Sequence, residues 1–199
     1  MGCGSSSSAA APEGQQPQQQ QQRQEQPQEQ QTQQTKSTPA KSSSNEDVGE
    51  FLKEGLEAHN RLRQPHQAPT MTLADDLNVY AQKWADNLAA RDTMEHSNCK
   101  LPSGGSVGEN LYMCWSSDPK AGVKASDAVQ SWYDEIKDYD FSKPDFAMDT
   151  GHFTQVVWKG STELGMAWAK AKGGSIYVVA SYRPAGNMMG DFENHVLPK

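Results

Sequence analysis

Two histidines and two glutamates are the side chains of this sequence best suited to chemistry. His96 and His152 stand beside small or turn-forming residues at the edges of predicted elements, where side chains project into clefts. Glu109 precedes a short apolar run, and Glu135 lies on a predicted helix. Such a set can bind a divalent metal or work as His/Glu acid–base pairs. The sequence lacks a His-Glu-x-x-His run and metal-type cysteine spacing, so local hydrogen bonding is an equally simple interpretation.

The other three histidines carry weaker indications. His59 lies on the apolar face of a predicted helix, a position compatible both with packing at the core edge and with chemistry. His66 lies in a loop between two prolines and is expected at the surface. His195, close to the end of the sequence, is assigned no role.

The elements that must position these residues change in type along the chain. Apolar residues recur at helical spacing in three segments, over residues 48–62, 74–91 and 126–137. Three β-like runs follow, over residues 153–159, 164–170 and 176–182. A Gly-Gly turn joins the last two runs into a hairpin. Helices followed by antiparallel strands predict an α+β domain with helices packed on a central sheet.

Composition separates this domain from the residues before it. Residues 9–45 are rich in Gln and almost devoid of large apolar side chains, which predicts a disordered linker. Residues 46–199 have the length of one domain and hold all five tryptophans. The net charge of -7 belongs to this domain, because the charges before it balance. An acidic domain without a basic stripe argues against nucleic-acid binding.

Residues 1–8 fit an acylation signal. The order Met1-Gly2-Cys3-Gly4-Ser5-Ser6 matches the N-myristoylation pattern, with Gly2 as the acceptor. One myristoyl chain gives only marginal membrane binding, and Cys3 is the natural site for a second, palmitoyl, chain. The alternative is a chance Gly2 in an ordinary terminus. The interpretation predicts a peripheral protein, lipid-anchored to the cytosolic face of membranes.

Cysteine usage agrees with a reducing compartment. Cys99 and Cys114 are expected to be free thiols, because no apolar stretch near the N-terminus could serve as a signal peptide. An apolar run of 18 residues is also missing from the sequence, so a transmembrane helix is not expected.

Six segments resemble the CAP superfamily, which holds cysteine-rich secretory, antigen 5 and plant pathogenesis-related proteins. The matched segments are 58–63, 95–97, 108–111, 132–136, 151–158 and 182–187. They occur in the family's order, and the resemblance covers residues 46–199. The ending Phe192-Glu193-Asn194-His195-Val196-Leu197-Pro198-Lys199 resembles the non-secreted branch typified by the Golgi-associated plant pathogenesis-related protein.

The resemblance implies an α-β-α sandwich, with a mostly antiparallel sheet and a wide cleft. The family's cleft tetrad would fall on His96, Glu109, Glu135 and His152, where the two histidines can hold zinc. The non-secreted branch implies myristoylation, a Golgi location, binding to acidic lipids and self-association, including a homodimer. Family members more widely bind lipids or sterols, and no shared catalytic reaction is established for them.

Three positions in the matched segments carry further expectations. Phe153 stands where the family usually has Tyr, which would remove a hydroxyl group from the cleft wall. Gly186 is expected to supply a turn with positive φ, capped by Asn187.

Three functions compete at this point. The first is a membrane-tethered module whose cleft binds lipid, a protein partner or a metal. The second is a zinc-dependent hydrolase in which His96 and His152 hold zinc, with Glu109 or Glu135 as the general base. The third is a self-associating structural protein, since Gln-rich tracts favour weak association.

Overall fold

The computed structural model describes residues 45–199 of the chain. The predicted acylation signal, with Gly2 and Cys3, lies outside the described residues. Residues 9–44 of the predicted linker also lie outside them. The helices are α1 (Asn45–Arg63), α2 (Asp75–Arg91), α3 (Ala125–Tyr133), α4 (Gly151–Val157) and α5 (Phe192–His195). Short 3₁₀ turns follow α1 and α3, at Gln64–His66 and Asp134–Asp138. The strands are β1 (Thr72–Leu73), β2 (Gly108–Trp115), β3 (Glu163–Lys170) and β4 (Ser175–Arg183).

The four strands form one mostly antiparallel sheet in the order β1-β3-β4-β2. β3 and β4 pair as the predicted hairpin, β2 pairs antiparallel with β4, and only β1 is parallel to its neighbour. β2 is an edge strand, and the Trp132 indole Nε1 donates a 2.8 Å hydrogen bond to the carbonyl oxygen of Leu111 on it. This contact occupies a backbone group that would otherwise be open to another strand.

Helices cover both faces of the sheet. On one face, α2 packs Ala81, Ala85 and Leu88 against strand residues that include Leu111 and Val179. On the other face, α1, α3 and α4 enclose the larger core cluster. The α-β-α sandwich expected from the sequence is therefore confirmed. Within residues 45–199, none of the helices has the length and apolar character required to cross a bilayer.

The helices α1, α2 and α3 lie where periodicity predicted them, with the last predicted turn of α3 continuing as a 3₁₀ turn. The prediction of a strand over residues 153–159 was wrong, because α4 (Gly151–Val157) occupies this segment. Five consecutive residues, 153–157, are buried, including the polar Thr154 and Gln155, so burial does not follow a single helical face. Short buried runs of this kind cannot be assigned to strand or helix by periodicity alone.

A buried arginine ties α1 to the end of α4. The side chain of Arg63 is 0% exposed, and its guanidinium group donates to four backbone carbonyls. The acceptors are the oxygen atoms of Pro69 at 2.9 Å, Val156 at 2.8 Å, Trp158 at 3.0 Å and Ser161 at 2.8 Å. Two of these carbonyls belong to the C-terminal end of α4, where helix carbonyls lack intrahelical partners and carry partial negative charge. Burial lowers the pKa of Arg63 to about 10, which still leaves the group charged at neutral pH.

Two further histidines are core residues. His59 is fully buried, with Nδ1 2.8 Å from the carbonyl oxygen of Gly55 and Nε2 2.9 Å from Tyr182 Oη. Burial lowers the pKa of His59 to about 4, so the ring is neutral at physiological pH. The surface position predicted for His66 was wrong, because His66 is 0% exposed and contacts Tyr133 Oη at 2.8 Å. Its other ring nitrogen lies 2.6 Å from the carbonyl oxygen of Leu197, which fixes the C-terminal segment against the core.

We predict that Arg63→Lys lowers the free energy of unfolding by about 3 kcal/mol, because one ammonium group cannot reach four carbonyls and stays buried with unmet partners. Chemical denaturation with circular dichroism measures this change. The control is Arg61→Lys, the same substitution at an exposed position of α1, which should change stability by less than about 0.5 kcal/mol. Equal stabilities for the two variants would contradict the role given to Arg63.

Candidate functional site

His96 and Glu109 form the first of two His/Glu pairs. Glu109 is the second residue of β2, and its side chain is 0% exposed. Its Oε1 accepts hydrogen bonds from His96 Nδ1 at 2.8 Å and from the backbone N–H of Ser97 at 2.9 Å. The hydrogen bond to Glu109 raises the pKa of His96, and the negative charge of the carboxylate acts in the same direction. The imidazole of His96 is 58% exposed, so the carboxylate is the buried anchor and the ring is the accessible group.

Glu135 and His152 form the second pair. Glu135 lies in the 3₁₀ turn after α3, and its Oε1 is 2.6 Å from His152 Nδ1. Its Oε2 accepts from the backbone N–H groups of His152 at 2.9 Å and Phe153 at 3.1 Å. Those N–H groups belong to the first turn of α4, where helical N–H groups lack partners and favour a negative charge. Glu135 therefore orients the imidazole and caps the helix that carries it.

The two pairs are joined through β2. Asn110, the neighbour of Glu109, donates its Nδ2 hydrogens to the carbonyl oxygen of His152 and to Tyr182 Oη, each at 3.1 Å. Trp132 adds a stacked contact with the His152 ring, with centroids 6.5 Å apart. Each pair is thus held at the start of the same strand, although 56 residues separate the two histidines in sequence (152 minus 96).

The two pairs share one arrangement of the imidazole nitrogens. In both pairs Nδ1 faces a carboxylate, so Nε2 is the nitrogen left for a metal ion. Histidine ligands of zinc commonly have their other ring nitrogen hydrogen-bonded to a carboxylate in this way. Across residues 45–199, however, no three His, Cys, Asp or Glu side chains are placed to share one metal ion. In the two pairs, Nε2 of His96 and Nε2 of His152 are thus the ring nitrogens that do not face a carboxylate.

An exposed apolar surface adjoins the second pair. Phe146 has a ring carbon 3.1 Å from the Cβ position of Gly151, the residue before His152. Asn187 Nδ2 donates a 2.8 Å hydrogen bond to the carbonyl oxygen of Gly151, which holds the 184–191 loop in place beside it. Four exposed apolar side chains lie on the two segments that meet at Gly151, and we call them the methionine patch: Phe146 (42% exposed), Met148 (85%), Met188 (46%) and Met189 (71%). Sequence reasoning missed this patch, although the Met-Met pair directly after Asn187 was visible.

Two expectations about the surrounding residues were wrong. Phe153 is 0% exposed and packs edge-on against the ring of Tyr133, so it belongs to the core and not to the cleft wall. The positive φ expected at Gly186 is found at the next residue, Asn187, whose φ is 56°. Position 186 requires glycine because of its close neighbours, since a Cβ atom there would lie 2.8 Å from both Gln155 and Trp158.

Comparison with known proteins identifies the family. The model of the cysteine-rich secretory protein family, CAP, matches residues 56–182, which include both His/Glu pairs. The chain belongs to the CAP family. The described part of this CAP domain contains two free cysteines, Cys99 and Cys114, as the sequence predicted.

The CAP domain has relatives in fungi and animals. The chain is 43% identical over 151 residues to human Golgi-associated plant pathogenesis-related protein 1, covering 75% of this chain and 94% of that protein. It is 38% identical over 152 residues to Protein PRY2 of Saccharomyces cerevisiae, covering 75% of this chain but only 42% of PRY2. Among solved structures, NaASP2 with Zn²⁺ matches with 28% identity and a TM-score of 0.57, covering 75% of this chain and 86% of that one. The BmVAL-1 structure, at 20% identity and a TM-score of 0.59, shares the fold.

We predict that Glu109→Gln lowers the pKa of His96. The variant removes the negative charge that raises this pKa and leaves at most a weaker, neutral hydrogen bond to the amide oxygen, while the burial that lowers the pKa remains. Titration of the His96 ring resonances by NMR measures the change.

The matched control is Glu95→Gln, which removes a carboxylate next to His96 in sequence that is paired with Arg91 instead. The His96 pKa should stay close to the wild-type value in this control. An equal effect of the two variants would mean that the surface charge in general, and not Glu109, sets the pKa.

Proposed function

We propose that this chain is a membrane-tethered CAP-domain binding module, whose cleft and methionine patch bind the apolar part of a lipid. The observation that carries the proposal is the patch itself, which lies against the residue preceding His152. Several large apolar side chains exposed on neighbouring segments are typical of a surface that binds a partner or a membrane. Flexible methionine side chains adapt to irregular apolar ligands.

The negative net charge of the chain favours acyl chains and apolar contacts over electrostatic attraction as the means of membrane binding. The chain has a net charge of -7, and an acidic protein gains little from attraction to anionic headgroups. Myristoylation of Gly2 and palmitoylation of Cys3 would supply the anchor. The name of the human relative supports a Golgi location. The cytosolic face of that membrane is part of the proposal, because myristoylation takes place on the cytosolic side.

Zinc is a secondary ligand in this proposal, and hydrolysis is not part of it. Two imidazole ligands without a third protein ligand fall short of the three that catalytic zinc sites use. Bound zinc would add a positive charge to the cleft, held by His96 and His152, while Glu109 and Glu135 orient the two rings. Self-association, including a homodimer, remains a hypothesis, and a protein partner is not specified.

The anchor is tested by Gly2→Ala, which removes the acceptor for myristate. We expect the variant to move from the membrane fraction to the soluble fraction of cells, as measured by fractionation and immunoblotting. Cys3→Ser should give intermediate retention, because one myristoyl chain binds membranes with a constant on the order of 10⁴ M⁻¹. Gly4→Ala is the matched control and should behave as wild type. Membrane retention of Gly2→Ala at the wild-type level would remove the anchor from the proposal.

The patch is tested on non-acylated protein with neutral phosphatidylcholine vesicles, which isolate the contribution of the domain. Met148→Glu should weaken vesicle binding at least about tenfold, because a buried methionine side chain contributes about 1.5–3 kcal/mol. Co-sedimentation with vesicles gives the partition coefficient.

Val79→Glu is the control for this experiment, since Val79 is 54% exposed on α2, across the sheet from α4. This variant should bind as wild type. If Met148→Glu and Val79→Glu weaken binding equally, added negative charge explains the effect and the methionine patch is not the contact surface.

A further inference from the structure

Two buried oxygen atoms on the α2 side of the sheet have no hydrogen-bond partner. They are Glu109 Oε2 and Ser181 Oγ. The Glu109 side chain and Ser181 are both 0% exposed. An unsatisfied buried polar group costs about 1–3 kcal/mol, and more when it is charged, so two such atoms require a physical explanation.

The sheet register makes the two residues neighbours. Ser181 on β4 stands directly opposite Glu109 on β2, and Gly165 on β3 stands opposite Ser181 on its other side. Directly opposed residues of antiparallel strands share a face, with Cβ atoms about 5 Å apart. The row is therefore Gly165-Ser181-Glu109, with only two side chains. The two side chains are therefore neighbours, yet Glu109 Oε2 and Ser181 Oγ make no direct hydrogen bond.

Apolar residues adjoin this row and separate it from bulk solvent. Leu77 contacts Gly165, and it belongs to a buried cluster with Leu101 and Val107. Half-buried Cys99 packs against the same cluster, and burial together with the Glu109 charge raises the pKa of its thiol. The two unpartnered oxygens thus belong to directly opposed residues on a sheet face that apolar side chains cover.

We propose that one internal water molecule bridges Glu109 Oε2 and Ser181 Oγ, which makes Ser181 a positioning residue for the cleft. The water would donate one hydrogen to the carboxylate and make its second hydrogen bond with the serine hydroxyl. Buried waters typically satisfy polar groups that otherwise lack partners. Glu109 is then held at both oxygens, by His96 and Ser97 on Oε1 and by the water on Oε2. The proposed water concerns only Glu109 and Ser181, so it does not depend on whether the cleft binds lipid.

A crystal structure of the full chain that resolves ordered waters is the first test. A water within hydrogen-bond distance of both oxygen atoms supports the proposal. A direct Glu109–Ser181 hydrogen bond, or other protein groups bonded to both oxygens with no water between them, overturns it.

The second test follows the Ser97 amide, which donates to Glu109 Oε1, by NMR hydrogen exchange. In Ser181→Ala, the Ser97 amide should exchange about tenfold faster, because the carboxylate loses its second support. The amide of Val179, in the middle of β4, is the internal reference for global loosening. Ser175→Ala removes a hydroxyl at the far end of β4 and should leave both rates unchanged.

An unchanged Ser97 rate in Ser181→Ala overturns the positioning role. Equal acceleration of the Ser97 and Val179 amides does so as well, because it shows general destabilisation. If Ser181→Ala fails to fold, the crystal structure of the wild-type chain still decides the proposal.

Discussion

The buried charge of Arg63 is the constraint on which the rest of the site depends. Taking a guanidinium group out of water is costly, and carbonyl groups repay that cost only if they are held in fixed positions. Two of its acceptors, the carbonyls of Val156 and Trp158, lie at the C-terminal end of α4. At the other end of the same short helix, the Glu135 carboxylate accepts two N–H groups. A helix of seven residues is marginal by itself, so opposite charges at its two ends stabilise the element that carries His152.

A chain of hydrogen bonds connects this helix to the core. His59 contacts Tyr182 Oη, Asn110 donates to the same oxygen, and Asn110 also donates to the carbonyl of His152. Because His59 is neutral at physiological pH, Tyr182 can donate its hydroxyl hydrogen to His59 Nε2. Fully satisfied buried networks of this type favour one arrangement over its alternatives. The accessible imidazoles are thus the outer ends of a rigid framework, while the methionine patch beside them offers adaptable apolar contacts.

Much of the architecture follows from the sequence alone. The periodicity of α1, α2 and α3, the Gly-Gly hairpin between β3 and β4 and the free cysteines follow from local pattern and composition. Resemblance to CAP proteins singled out His96, Glu109, Glu135 and His152, and the structure shows these residues as two hydrogen-bonded pairs. Whether they bind zinc together stays a prediction.

Only the tertiary structure decided the helical conformation of α4, the burial of His66 and the position of the methionine patch. The sequence from Phe153 to Val157 suits a strand as well as a buried helix, because its aromatic and β-branched residues favour a strand and the run is too short to show a helical period. The choice is made by Arg63 and Glu135, which are distant in sequence and satisfy the backbone groups at the two ends of a helix. The sequence around His66 is typical of a surface loop, but its ring nitrogens contact Tyr133 and Leu197, which hold it in the core. For α4 and for His66, a polar group is satisfied by a residue from another part of the chain, which the local sequence cannot reveal. The methionine patch depends likewise on two separate segments that meet at Gly151.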